Sequence, residues 1–391
     1  MYSLLLVIIY VAFISLGLPD SLLGSGWPAM YEQLGVGISY AGIITMLISV
    51  FTIISSVFAA KITVKLGTGL YTAISVSLTA LAMIGFSFST AFWQLVVLTV
   101  PYGLGAGGVD ASLNNYVALH YKSRHMSWLH CFWGVGTIIS PYVMAYALRS
   151  FRGWQGGYLI VGLIQCALAV GLFLAASLWK KQKQVDSSDR EETPLKALSL
   201  KEVFSLKGIM LWLIGFSCYC ALEQSAMVWA SSYLAECRGL SAERAATFGS
   251  LFCIGITAGR LISGFVAEKA GDKLMIRIGL TIILIGTILI ALPVNYIVAL
   301  VGFVVVGLGC APVYPSIIHA TPDAFGKENS QSVIGMQMAF AYVGSTFMPP
   351  LFGVIAKYTN MSILPYYVML FALIMVALTE CFYKIKKKQS A

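Results

Sequence analysis

Twelve stretches of this 391-residue chain are long and apolar enough to cross a bilayer, and they leave little chain for anything else. They run near residues 3–31, 39–60, 69–88, 91–118, 127–149, 154–179, 208–236, 243–267, 274–293, 296–319, 331–356 and 362–383. A helix needs about 20 apolar residues to cross the hydrocarbon core. Lipid offers the backbone no hydrogen-bond partner, so each run has to satisfy its own peptide groups as a helix. Charged residues make up 10% of the chain, where soluble domains carry roughly 25%. The fold class that follows is an all-α integral membrane protein of twelve transmembrane helices, numbered here as spans 1 to 12.

The net charge of +9 would suit a nucleic-acid partner, but its placement points to the membrane instead. With the N-terminus in the cytoplasm, 19 basic residues fall in cytoplasmic loops and the C-terminal tail. The outer loops hold 5, namely Arg149, Arg152, Arg238, Arg244 and Lys357, with Arg260 set aside as intramembrane. That asymmetry follows the positive-inside rule. It puts both termini in the cytoplasm of a multi-pass plasma (inner) membrane protein. Residues 3–18 lack a basic leader and continue into a longer helix, so they read as a first span and not as a cleaved signal. The eight cysteines sit mostly in apolar runs without C-x-x-C spacing, as small hydrophobes rather than a disulfide frame or metal site.

The longest polar stretch, KKQKQVDSSDREETPLKALSLK at 180–201, reads as a cytoplasmic linker over 180–207. It separates an N-terminal six-helix bundle at 1–179 from a C-terminal one at 208–391. The bundles repeat one another. YGLGAG at 102–107 matches VGLGCA at 306–311, so Gly103 and Gly105 correspond to Gly307 and Gly309, an offset of 204. KLG at 65–67 matches KAG at 269–271 at the same offset, and Asp20 corresponds to Glu223 at 203. Pro141 in span 5 corresponds to Pro349 or Pro350 in span 11. A constant register across spans 1, 2 and 4 marks a duplication. Parallel repeats of this kind place a solute site near the membrane midplane.

Between spans 8 and 9, GFVAEKAGDK (264–273) resembles the loop motif of the major facilitator superfamily, G-x-x-x-[D/E]-[R/K]-x-G-x-[R/K]. The matching residues are Gly264, Glu268, Lys269, Gly271 and Lys273. The resemblance implies a cytoplasmic gate in which Glu268 and Lys269 pair with neighbouring helix ends, and Gly264 lets helices approach closely. Arg260, two turns before Glu268, is assigned to the same gate. In the first bundle Ala60 stands in place of the glycine and Val64 in place of the acid. Within the superfamily the chain most resembles the fucose–proton symporter type. The likeness rests on Asp20 in span 1, the Gly-rich span 4 with its acid and amides (GLGAGGVDASLNNY), and APVYP (311–315) in span 10. It implies alternating access, a small polar solute such as a sugar, and proton symport, with the acids of spans 1 and 4 in binding and coupling. Span 5 departs from the pattern: fucose carriers show Q-x-F-N where this chain has His130-Cys-Phe-Trp133, so fucose itself does not carry over.

Asp20, Asp110 and Glu223 are the carboxylates deep in spans, and no Lys or Arg lies deep enough to be an obvious partner. An ionised carboxylate in hydrocarbon is costly. At least one of the three is therefore expected to hold a proton in some state, which is the requirement for a proton-coupling site. Asn114 lies one turn beyond Asp110 on the same helix face, and Asn115 on the adjacent one. With Gln224 and Gln337, these amides offer both donors and acceptors to a hydroxylated solute, though amides also glue helices together. Asp20, Glu223 and His130 are further candidates for solute contact. Trp133 and Trp229, each within two turns of a polar candidate, could stack on a ring, as could Trp27, Tyr314 and Tyr342, although such aromatics also serve packing. Span 4's Gly103, Gly105, Gly107 and Gly108 serve close packing and bending. His319 is read as interfacial.

The same fold allows a proton-coupled exporter, an antiporter of drugs or metabolites. Such exporters carry a G-P pair and then a G-G pair in span 5, where this chain has Ser140-Pro141 and no glycine pair after it. An enzyme or sensor would need a catalytic cluster, and His120, His125, His130 and His319 form none, nor is there a G-x-x-x-x-G-K loop. The expected partners are a small-molecule substrate, protons and the bilayer, with a monomeric carrier, no nucleic acid, no cofactor and no metal. Reporter fusions test the topology. Fusions after Lys183 and at Ala391 should report from the cytoplasm and one near Arg238 from outside; termini on opposite sides would contradict the twelve-span reading.

Overall fold

The computed structural model describes residues 2–150, 152–175, 179, 196–241, 244, 245, 248 and 251–389. Residues 180–195 of the linker, most of 242–250 and Ala391 lie outside the described residues. The described chain is helical, with twelve helices long and apolar enough to cross a membrane. The first six are Leu4–Gln33, Tyr40–Leu66, Thr68–Phe88, Phe92–His120, Ser123–Arg149 and Gly153–Leu174. The second six are Ile209–Arg238, Leu251–Ala270, Asp272–Ala291, Tyr296–His319, Ser330–Tyr358 and Met361–Lys388. Span 2 continues six residues past its apolar run, because Lys61 and Lys65 carry long apolar stems that keep their charges at the edge. It stops at Gly67, whose φ of +77° closes the helix end. Of the linker, Ser199 and Glu202 cap a short helix, Leu200–Ser205, through a reciprocal capping box.

Span 1 is not one helix but two, Tyr2–Asp20 and Leu22–Gln33. Pro19 has no N–H, so the carbonyl of Ser15 one turn earlier loses its helical donor. Gln165 of span 6 supplies the replacement, its buried Nε2 donating to that carbonyl at 2.9 Å. The break leaves Asp20 at a helix end in the middle of the span.

Two compact units form, and they differ from the sequence bundles by an exchange of segments. Unit 1 comprises Met1–Tyr116, Leu129–Ala197 and Lys327–Ala339; unit 2 comprises Val117–Trp128, Leu198–Gly326 and Phe340–Ala391. The turn between spans 4 and 5 thus packs within unit 2, and the start of span 11 within unit 1. Unit 1 has an apolar core around Trp27, Met83, Phe86, Met144 and Tyr158.

The duplication read from the sequence is also a duplication of contacts. In unit 1 a Cβ at Gly103 would collide with the carbonyl of Ile48, and one at Gly105 with the carbonyl of Ser75. In unit 2 Gly307 faces the carbonyl of Phe252 and Gly309 that of Gly279. Every partner is displaced by the same 204 residues. Spans 4 and 10 therefore press backbone to backbone on spans 2 and 3 and on spans 8 and 9, respectively. Gly67 and Gly271, again 204 apart, share one left-handed conformation, with φ of +77° and +76° and ψ of 156° and 153°.

Candidate functional site

In unit 1, spans 1, 4 and 5 converge on Asp20. Its Oδ2 accepts from Trp133 Nε1 at 2.9 Å and its Oδ1 from the Tyr102 hydroxyl at 3.3 Å. Span 5 reaches this place because span 1 carries no side chain at Gly17, where a Cβ would collide with the carbonyl of Trp133. Asp20 itself remains exposed although it sits mid-span. Both of these partners are neutral donors.

One turn along span 5 from Trp133, the buried His130 sets its Nε2 3.1 Å from Asn114 Oδ1. An amide oxygen only accepts, so His130 donates there. The same amide donates from Nδ2 to Asp110 Oδ1 at 2.7 Å. Asp110, Asn114 and His130 form a continuous hydrogen-bonded row, exposed by only 5%, 0% and 5% respectively. Phe13 closes one side, its ring edge-on to His130 at 5.6 Å, and Met338 Sδ lies 4.0 Å from Asn114 Nδ2. Asn115 is buried on another face and outside this row. Gln337 is buried within the same unit, on the segment of span 11 that it includes. Trp27 is a packing residue: buried in the unit 1 core, it donates to the carbonyl of Ile38 at 2.7 Å.

In unit 2, Glu223 does have a deep basic partner, contrary to the expectation that none lies deep. Arg260 Nη2 stands 3.3 Å from Glu223 Oε1, with side chains 4% and 17% exposed. The assignment of Arg260 to the gate is corrected with it. Eight residues of helix, about 12 Å of rise, separate it from Glu268, so its guanidinium turns to the carboxylate mid-membrane. Its place at the centre of an apolar run was the available signal. Tyr219, one turn before Glu223, donates to the carbonyl of Cys310 at 2.8 Å, and Tyr314 packs on Phe216 with ring centres 4.9 Å apart. Gln224 points about 100° away from Glu223 on the same helix. Trp229 is committed to packing, its Nε1 donating to the carbonyl of Pro349 at 2.9 Å with its ring against Phe352. Tyr342 is half-buried on span 11. Among the described residues no group of three or more His, Cys, Asp or Glu is placed to hold a metal.

The basic ends of unit 2 carry a second cluster. Glu268 accepts from Lys122 and lies 3.3 Å from Arg124 Nη1, both on the turn joining spans 4 and 5. Beside it Asp272 accepts from Ser123 Oγ at 2.5 Å and from His319 Nδ1 at 2.6 Å. His319 Nε2 lies 3.1 Å from the carbonyl of Tyr121, so both ring nitrogens face acceptors. Gly264 admits the Trp128 indole, which any Cβ there would overlap. Of the motif's basic residues, Lys269 is exposed and takes no part in an ion pair among the described residues, which corrects the expectation that it pairs with a neighbouring helix end as Glu268 does. Lys273 lies over the Tyr383 ring, 4.6 Å from its centre. The sequence reading missed Asp272 and His319 as partners, because only the fold brings the ends of spans 9 and 10 to one turn. Exposed ion pairs hold weakly, so the bonds of this cluster can break singly at little cost.

The sequence matches the Major Facilitator Superfamily over residues 9–317 and 233–391. It is 23% identical over 295 residues to the membrane sensor protein UhpC of Escherichia coli (strain K12), covering 68% of this chain and 66% of UhpC. It is 22% identical over 193 residues to the probable L-galactonate transporter of the same organism, covering 45% of this chain and 42% of that protein. The chain thus spans less than two thirds of either relative. Its fold is similar to that of the E. coli fucose:proton symporter FucP, with a TM-score of 0.76 at 14% identity, covering 97% of this chain and 98% of that one.

If the cluster around Glu268 and Asp272 acts as the expected cytoplasmic gate, its geometry generates a test. Asp272→Asn and Glu268→Gln should each slow transport several-fold in proteoliposomes while leaving equilibrium solute affinity within a few-fold. Gly264→Leu should do the same, with recovery on adding Trp128→Ala. A large loss of affinity in a well-folded variant would place these residues in the solute site instead.

Proposed function

The chain belongs to the major facilitator superfamily, and from that premise we propose that it moves a small polar solute, a sugar or sugar-like molecule, across the plasma membrane by alternating access in symport with protons. The observation that carries this reading is the pair of mid-membrane carboxylates in unit 1. Asp20 and Asp110 are each bonded to neutral groups, Trp133 and Tyr102 for one and Asn114 for the other. Neutral partners accommodate a carboxyl group with or without its proton, whereas a fixed cation would hold it ionised. The names of the relatives, a galactonate transporter and a fucose:proton symporter, support a hydroxylated solute and the use of protons.

Exposure divides the labour between the two acids. Asp20 is open and held by aromatic donors, suited to meeting a solute. Asp110 is buried and accepts from Asn114, which His130 bonds in turn, an arrangement suited to holding the exchanged proton. Asp110→Asn keeps shape and hydrogen bonding but releases no proton. It should abolish accumulation driven by a pH gradient while solute exchange by counterflow persists. Asp20→Asn should weaken binding about 10- to 100-fold, since a hydrogen bond to a charged group is worth roughly 1.5–3 kcal/mol. Accumulation against a gradient by Asp110→Asn would move the coupling role to another acid.

A further inference from the structure

The mid-membrane ion pair of unit 2 is not used by the proposed carriage of a small polar solute through Asp20 and Asp110. A buried guanidinium needs an anion beside it, and a buried carboxylate needs a cation or hydrogen-bond donors. Two ion pairs of unit 2 show how differently this need is met. Arg277 grips Glu380 with two short bonds, Nε to Oε1 at 2.6 Å and Nη2 to Oε2 at 2.7 Å, the forked geometry of a permanent pair. Arg260 meets Glu223 through a single, long Nη2···Oε1 contact of 3.3 Å, although it is the deeper of the two arginines. Glu223 keeps an exposed edge, 17% of its side chain, by which another group can reach the pair.

The duplication sharpens the contrast. Arg260 corresponds to Ser56 in unit 1 at the offset of 204, while Glu223 corresponds to Asp20 at 203. Asp20 is served by the neutral donors Trp133 and Tyr102. The positive charge at Arg260 is therefore not part of the repeated scaffold. It is particular to unit 2.

We propose that Arg260 is an anion-binding residue and that Glu223 is its resident counter-ion, exchanged for the carboxylate of a small hydroxylated monocarboxylate such as a sugar acid. The step balances without further reactants. A proton from the aqueous side binds a Glu223 carboxylate oxygen, the neutral acid leaves the guanidinium, and the solute carboxylate takes its place. One negative charge faces Arg260 before and after, so proton and anion bind together or not at all. A single cation paired with a single carboxylate fits a monoanion; a phosphate monoester dianion would bring a second charge with no counterpart in the pair. Among the described residues, the titratable side chains that sense this pair include Tyr219 from span 7, Cys253 from span 8 and Cys310 from span 10, none of which carries a positive charge. This inference rests on the reading of the chain as a solute carrier and narrows its solute.

The test uses the purified full-length carrier in lipid nanodiscs. Glycerate, gluconate, galactonate and glucuronate are each compared with glycerol, glucose or galactose by thermal shift and calorimetry, and proton uptake is followed with a pH dye in weak buffer. At least one carboxylate should bind tenfold or more tighter than its uncharged counterpart, take up about one proton per carrier, and weaken as the pH of the medium rises. Glu223→Gln should still bind it, now without the proton attributable to position 223 and with a flatter pH dependence. Adding Arg260→Gln to that variant, so that no buried charge is left unpaired, should abolish preference for the carboxylate while the carrier stays monodisperse. Carboxylates that bind no tighter than their neutral counterparts overturn the proposal, as does an unchanged pH dependence in Glu223→Gln. If the neutral series binds and the carboxylates do not, the anion assignment falls and the carrier reading stands. If neither series binds or is transported, both fall.

Discussion

Inside the hydrocarbon layer a polar group has to find its partner within the protein, because lipid supplies none. The consequences run from the backbone to the chemistry of this chain. Pro19 breaks span 1 and frees the Ser15 carbonyl, and Gln165 is buried opposite it to accept the debt. The break in turn leaves Asp20 mid-span with an exposed edge, tied to Trp133 and Tyr102. Asp110 meets the same requirement through the amide of Asn114, itself bonded to His130, and Glu223 meets it through Arg260. Three acids within spans thus have three kinds of partner, and the partner decides what each acid can do.

Close backbone packing is what puts these partners within reach. Gly17 lets span 5 lie against span 1 so that Trp133 reaches Asp20, and the glycines of spans 4 and 10 seat those helices on their neighbours in one repeated register. A carrier built this way holds its deep polar groups within compact units, with the weaker, more exposed bonds at the basic ends. Lys122, Arg124 and Ser123 belong in sequence to the first bundle yet bind Glu268 and Asp272 in unit 2. Such an exchange of short segments is held by bonds that break singly at little cost.

Much of this was legible in the sequence, for physical reasons. Twelve spans follow from apolar length alone, and the glycine register revealed the duplication because backbone contact tolerates no side chain at Gly103 or Gly307. Asp110 and Asn114 were legible as a pair because one helical turn separates them. Contacts between spans distant in sequence were not. Arg260 looked like part of the neighbouring loop motif until the fold showed that span 7 brings Glu223 to it. Asp272 and His319 become partners only when spans 9 and 10 end side by side. The break in span 1 was signalled by Pro19, but its repair by Gln165 required the packing of span 6.

The central claim is that the mid-membrane acids exchange protons as solute moves. Its most direct measurement is the proton-to-solute ratio. Proteoliposomes in weakly buffered medium receive solute with no imposed gradient, and a pH electrode follows the medium while labelled solute is counted inside. The account predicts that the medium turns alkaline as solute enters, at a fixed whole-number ratio across solute concentrations, and that a protonophore removes the pH change without stopping solute entry. Solute entry with no proton movement, under conditions where the carrier is fully active, would contradict it.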